Sequence, residues 1–104
     1  MKTQIKYTNL DSTLAMNEYV EQKINSLAKL VEKFDIEGSV LARVEVARTT
    51  KHHHKGPVYR AETNLDLPGK VLRAEHEDWD ARVAVDQMKD KLKREIIKYK
   101  ETHV

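Results

Sequence analysis

WDARVAVDQMKDKLKREIIKYK, residues 79–100, is the stretch from which the rest of the chain can be placed. Apolar residues recur at Ala81, Val85, Met88, Leu92, Ile96 and Tyr99. Steps of three and four put them in one stripe on a helix of about six turns, so one face belongs to a core. At about 100° per residue two further rows flank the stripe. Lys91, Arg94 and Lys98 form one, and Arg82, Lys89, Lys93 and Lys100 the other. From Lys89 to Lys100 six Lys/Arg stand against Asp90 and Glu95, a net +4 where the whole chain carries +2. The acidic run Glu75 to Asp80 precedes this segment and suits the opening of a helix, where the backbone dipole favours anions.

Moving toward the N-terminus, Lys70 to Glu75 is predicted as a strand with Leu72 and Ala74 inward, joined through Pro68-Gly69 to a partner at Val58 to Leu67. The inner set of that partner is Tyr59, Ala61, Thr63, Leu65 and Leu67. Thr49 to Pro57, TTKHHHKGP, contains no apolar side chain before its proline and is predicted as a connection. Ser39 to Arg48 alternates, with Val40, Ala42, Val44 and Val46 on one side. Before it, Met16, Val20, Ile24, Leu27, Val31 and Phe34 form an unbroken seam. This predicts one long helix that starts after Asn9 to Thr13 and stops before Gly38. Lys2 to Tyr7 alternates again, with Thr3, Ile5 and Tyr7 as one face.

The expected fold is α+β, in the order β-α-β-β-β-α, as a single domain over residues 1–104. A four-stranded sheet with two helices packed on one face buries every apolar stripe. Connection through a helix makes the first two strands parallel, and hairpins make the later pairs antiparallel.

Composition narrows the function. The chain has no cysteine, which removes disulfides, thiolate metal sites and a cysteine nucleophile. No apolar run approaches the roughly 18 residues of a membrane span, and MKTQIKYTN lacks a signal-like apolar region, so a soluble cytoplasmic protein is expected. Gly38, Gly56 and Gly69 each sit in a turn context and form no phosphate-cradling pattern. Glu75, His76, Glu77, Asp78 and Asp80 read as a helix start more readily than as an active site. His52, His53 and His54 look like metal ligands. In an extended loop they diverge and have no carboxylate beside them, which favours a solvated cationic loop with Arg48, Lys51 and Lys55. Trp79 and Tyr99 are expected in or beside the core, with base stacking open to Trp79 if it is exposed.

The basic rows of the last helix are the leading functional feature. Cations on adjacent turns lie about 5 to 6 Å apart and can track a phosphate backbone. The competing reading is a solvated helix face. On the first helix, Lys23 borders the seam and extends a positive surface if the two helices lie side by side.

Three segments resemble the ribosome hibernation promoting factor family, also called ribosome-associated translation inhibitors or σ54 modulation proteins. They are YVEQKINSLAKL at Tyr19 to Leu30, ETNLDLPGKVLRAE at Glu62 to Glu75, and AVDQMKDKLKREIIKYK at Ala84 to Lys100. Within the third, the spacing Asp90-Lys91-Leu92-x-Arg94 is the most specific. The resemblance implies the fold already read from periodicity. It also implies binding to the small ribosomal subunit and its rRNA, in 70S ribosomes, across the decoding region, with messenger and transfer RNA excluded. It places RNA contacts at Lys23, Lys91, Arg94 and Lys98. Helix geometry adds Arg82, Lys89, Lys93 and Lys100. Where the family commonly has a tyrosine near the start of the last helix, this chain has Arg82, after Asp80 and Ala81. The HHHKGP tract lengthens one loop, and an end at Val104 implies the short form, without the further domain of longer members.

The expected protein is thus not an enzyme and needs no cofactor, metal, membrane or small-molecule substrate. Two alternatives stay open: a double-stranded-RNA or protein-interaction module acting off the ribosome, and a metal-dependent enzyme built on His52 to His54.

Overall fold

The computed structural model describes residues 1–49 and 58–102. The strands are β1 (Lys2–Thr8), β2 (Leu41–Arg48), β3 (Tyr59–Leu67) and β4 (Lys70–Asp78), and the helices are α1 (Leu14–Asn25), α2 (Ala28–Val31) and α3 (Ala81–Thr102). Two short 3₁₀ turns, Glu32–Phe34 and Ile36–Gly38, lead from α2 toward β2.

The sheet runs β1-β2-β3-β4, with β1 parallel to β2 and both later pairs antiparallel. Its register puts Ile5 beside Val44, Val44 beside Thr63 and Thr63 beside Ala74, so one row crosses all four strands on the inner face. Ala42, Val44 and Val46 of β2, Ala61, Leu65 and Leu67 of β3, and Leu72 and Ala74 of β4 are buried. Against them pack Val20, Ile24, Leu27 and Val31 from the first helical segment, and Ala84, Val85, Met88, Leu92, Ile96 and Tyr99 from α3. Each fully buried large aliphatic contributes about 1.5 to 3 kcal/mol. This single cluster holds the helical layer on one side of the sheet. The β3–β4 turn places Gly69 at φ +72°, a conformation that a Cβ disfavours.

Two predicted boundaries are corrected. The first seam is carried by α1, α2 and a 3₁₀ turn, where one helix was expected. The Ser26 hydroxyl donates to the Lys23 carbonyl, and the Leu27 and Leu30 N–H groups close back only three residues, onto Ile24 and Leu27. A serine hydroxyl that competes for the helix carbonyls and a tightened turn interrupt the α geometry there. The seam survives because Ile24, Leu27 and Val31 all remain buried.

The second correction concerns β4, which continues to Asp78, past the expected stop at Glu75. Glu75, His76, Glu77 and Asp78 pair with Glu62, Ala61, Arg60 and Tyr59. Within α3 it is Ala84, rather than Ala81, that is buried beside Val85. Trp79 lies in the connection between β4 and α3, outside both apolar periodicities, and is 58% exposed, contrary to the core position expected for it. Tyr99 is buried as expected and meets Phe34 edge-on at 5.2 Å.

Candidate nucleic-acid interface

The start of α3 is built by two aspartates. Asp80 Oδ1 accepts the N–H groups of Arg82 at 2.8 Å and Val83 at 3.4 Å, and Asp78 Oδ2 accepts the Asp80 N–H at 2.9 Å. These carboxylates satisfy amides that the helix itself leaves open. Glu75, by contrast, lies on the outer sheet face, where Arg73 and then Arg60 hold its carboxyl below the usual range. The acidic run therefore divides between a helix cap and a strand.

The two basic rows of α3 face different neighbours. Arg82 lies with its guanidinium 4.9 Å from the centre of the Tyr19 ring on α1, and Lys23 approaches the same ring at 5.3 Å. Both distances suit a cation over an aromatic face. Asp86, one turn beyond Arg82, accepts the Tyr19 hydroxyl at 2.6 Å and stands 3.3 Å from Lys23 Nζ. Burial, then the Asp86 hydrogen bond, pushes the Tyr19 phenol up to about 12. By helical spacing Lys89, Lys93 and Lys100 continue this row on the α1 side. Lys89 Nζ is 2.9 Å from Asp90, whose carboxyl it holds below the ordinary range.

On the opposite flank, Lys91 Nζ donates to the Glu75 carbonyl of β4 at 3.2 Å. Further along, Lys98 joins Glu95, Tyr99 and Thr102 in lining an open groove of about 600 Å³, with Lys70, Val71, Leu72 and Arg73 as its other wall. The structure therefore brings Lys23 to Arg82, and Lys91 and Lys98 to β4. Lys23 lies across α3 from the Lys91, Arg94 and Lys98 row with which the family resemblance groups it. Arg82, Lys93, Arg94 and Lys98 are exposed, whereas Lys23, Lys89, Lys91 and Lys100 are partly covered. Lys93, Arg94, Lys98 and Lys100 form no ion pair with any described residue, leaving their charge available to a polyanion.

The arginines of the outer sheet face are placed differently. Arg43 pairs with Asp66 at 2.7 Å, and Arg60 and Arg73 each pair with both Glu62 and Glu75. A phosphate approaching them meets cations already neutralised. Among the described residues no group of His, Cys, Asp and Glu could hold a metal, and His52, His53 and His54 lie outside those residues. Among the described residues no helix is long and apolar enough to cross a membrane.

Tyr19 and Asp86, which contact the candidate cations Lys23 and Arg82, are overlooked by charge counting. Their signal is an offset of four on each helix, Tyr19 to Lys23 and Arg82 to Asp86, which acquires meaning once the two faces are set against each other.

Residues 3–103 match the family described as Sigma 54 modulation protein / S30EA ribosomal protein. A ribosome hibernation promotion factor of Deinococcus radiodurans is 30% identical over 97 residues, spanning 93% of this chain and 48% of that one. A ribosome hibernation promoting factor of Azotobacter vinelandii is 33% identical over 106 residues, spanning 100% of this chain and 87% of that one. The chain thus covers about half the length of the first relative and most of the second. Among solved structures, the N-terminal domain of Thermus thermophilus Protein Y matches over 95% of this chain, with a TM-score of 0.75 and 30% identity. A ribosomal subunit interface protein from Coxiella burnetii matches over 97% with a TM-score of 0.73 at 20% identity, which shows a shared fold.

Proposed function

We propose, from the premise that this chain belongs to the Sigma 54 modulation protein / S30EA ribosomal protein family, that it is a ribosome-binding hibernation factor acting by occupancy. In this reading it binds the small ribosomal subunit through rRNA, covers the decoding region, and excludes messenger and transfer RNA. It works as a non-enzymatic cytoplasmic protein, on subunits and 70S ribosomes, without a cofactor. The observation that carries this reading is the contrast between the cations of α3 and the arginines of the outer sheet face. α3 presents Lys93, Arg94, Lys98 and Lys100 without ion pairs among the described residues, while Arg43, Arg60 and Arg73 on the outer sheet face are all neutralised.

Phosphate contacts from these side chains fix position on the RNA. Folded RNA hides most base edges in a deep groove, so selectivity comes from matching the shape of the helical layer to the shape of the rRNA. The test is ribosome pelleting across a salt series with wild type and the Lys91→Ala/Arg94→Ala/Lys98→Ala variant, followed by footprinting. The variant should bind 30S and 70S particles more weakly and with a shallower salt slope, and protection should fall in the decoding region. Equal binding by the variant rejects the site. Equal affinity of wild type for any RNA duplex favours a module acting off the ribosome.

A further inference from the structure

β4 is an edge strand with a ladder partner, among the described residues, on its β3 side alone. The Thr49 N–H donates to the Val58 carbonyl at 2.7 Å, which fixes the hydrogen-bond phase of the antiparallel strands. Even-numbered residues of β3 point their backbone groups at β2, so the odd-numbered ones point at β4. By the same alternation Lys70, Leu72, Ala74, His76 and Asp78 bond to β3, and Val71, Arg73, Glu75 and Glu77 turn their N–H and C=O groups to the open edge. Lys91 agrees with this phase, since the carbonyl that it reaches is that of Glu75.

The sequence of this edge is KVLRAEHED, residues 70–78. Its cations, Lys70 and Arg73, lie before Ala74, and its anions, Glu75, Glu77 and Asp78, lie after it. We propose that β4 is a self-complementary edge, through which a second copy of the chain pairs antiparallel about Ala74 and continues the sheet. In that register Lys70 faces Asp78 of the second copy, Val71 faces Glu77, Leu72 faces His76 and Arg73 faces Glu75. Each named pair occurs twice by symmetry. Arg73 and Glu75 both point their backbone groups outward, so they form the bonded pair that an antiparallel ladder requires.

Neighbouring registers of the same phase set Arg73 against Arg73 or Glu75 against Glu75 on the axis, and either opposition is repulsive. Charge pattern and backbone phase therefore select one alignment of this strand with itself. Directly opposed residues share a face of an antiparallel sheet, so both helical layers lie on the same side of the joined sheet. The Arg60, Glu62, Arg73 and Glu75 cluster meets its symmetry mate on the other.

Lys91 restrains this edge. Its ammonium occupies the Glu75 carbonyl that must accept the Arg73 N–H of the second copy. A lysine across an edge strand is a common protection against unwanted pairing. One strand pair also buries little area beside the roughly 1,200 Å² of a stable interface, so association is weak and concentration-dependent.

The experiment is sedimentation velocity from about 10 µM to about 1 mM, at low and high salt. A dimer that grows with concentration and weakens with salt is expected. Val71→Pro, which removes an outward N–H without breaking a ladder bond to β3, should abolish it, and Lys91→Ala should increase it, with circular dichroism confirming that both remain folded. The chain contains no cysteine, so a Val71→Cys/Glu77→Cys variant reports the register directly. It should form disulfide-linked dimers under mild oxidation, far more than either single-cysteine variant. A monomer throughout the range, a Val71→Pro chain that dimerises like wild type, or a double variant that cross-links no better than the single ones overturns the proposal.

Discussion

The Tyr19 hydroxyl on α1 donates to Asp86 Oδ1 on α3 at 2.6 Å, tying together the two helices that carry the candidate interface. Lys23 and Arg82 both lie over the same ring, so one aromatic side chain organises two cations and an anion. Tyr19→Phe removes a hydrogen bond to a charged acceptor, and about 1.5 kcal/mol of stability should go with it in urea denaturation near neutral pH. An unchanged midpoint would show that the bond contributes nothing to the helix pairing.

The same bond predicts an alkaline limb. Burial first, then Asp86, raises the folded-state phenol from 10.0 to about 12. In that window the unfolded chain holds fewer protons than the folded one, so stability falls as pH rises. The contribution is complete below the unfolded value and is lost through the folded one. Between about pH 9 and about pH 11.5, wild type should lose about 1 to 2 kcal/mol more than Tyr19→Phe, with the partial exposure of the ring allowed for. Parallel pH profiles for the two proteins would remove Tyr19 as the source.

In the core, the buried Thr63 hydroxyl donates to Met88 Sδ at 3.1 Å. Thioether sulfur is a weak acceptor, so this contact returns little of the cost of burying a hydroxyl. Thr63→Val, which keeps the shape, should be neutral or stabilise by up to about 1 kcal/mol. Leu92→Ala, in the stripe that read as core from its spacing, should cost about 2 to 5 kcal/mol. Thermal melts of the two variants moving in the same direction by similar amounts would contradict this view of the packing.

Asp80 offers a separate test of the helix start. Its carboxylate accepts from Arg82 and Val83, and Asp80→Ala should cost about 1 kcal/mol, with most of the loss recovered by Asp80→Asn or Asp80→Ser. Destabilisation by all three replacements alike would assign the effect to charge near the helix dipole instead of to the hydrogen bonds.

Alternation at Val40 to Val46 and Ala61 to Leu67 exposed the strands in the sequence, because an inner face opposite a solvated one imposes a period of two. The end of β4 was hidden for the complementary reason. Glu75, His76, Glu77 and Asp78 have no apolar alternation, and their extended form follows from pairing with Arg60, Glu62 and their neighbours. The break at Ser26 was equally silent, since the apolar seam crosses it with its spacing intact. At the candidate interface a helical wheel finds both basic rows. Which row meets α1 and which meets β4 depends on a second element, so the separation of Lys23 from Lys91 is visible only in three dimensions.

That separation allows the two flanks to be tested independently on RNA. Asp86 stands 3.3 Å from Lys23 and neutralises it in the free protein. If the α1 flank contacts rRNA as proposed, Asp86→Asn frees one cation there. Affinity for 30S subunits should then rise, and the slope of log K against log salt should steepen by about one. The Lys91→Ala/Arg94→Ala/Lys98→Ala variant should change in the opposite sense, with the slope becoming shallower by about two to three. Because the two sets lie on opposite sides of α3, their effects should add in the combined variant. A neutral Asp86→Asn beside a weakened triple variant would confine RNA contact to the β4 side. The reverse result would move it to the groove between α1 and α3.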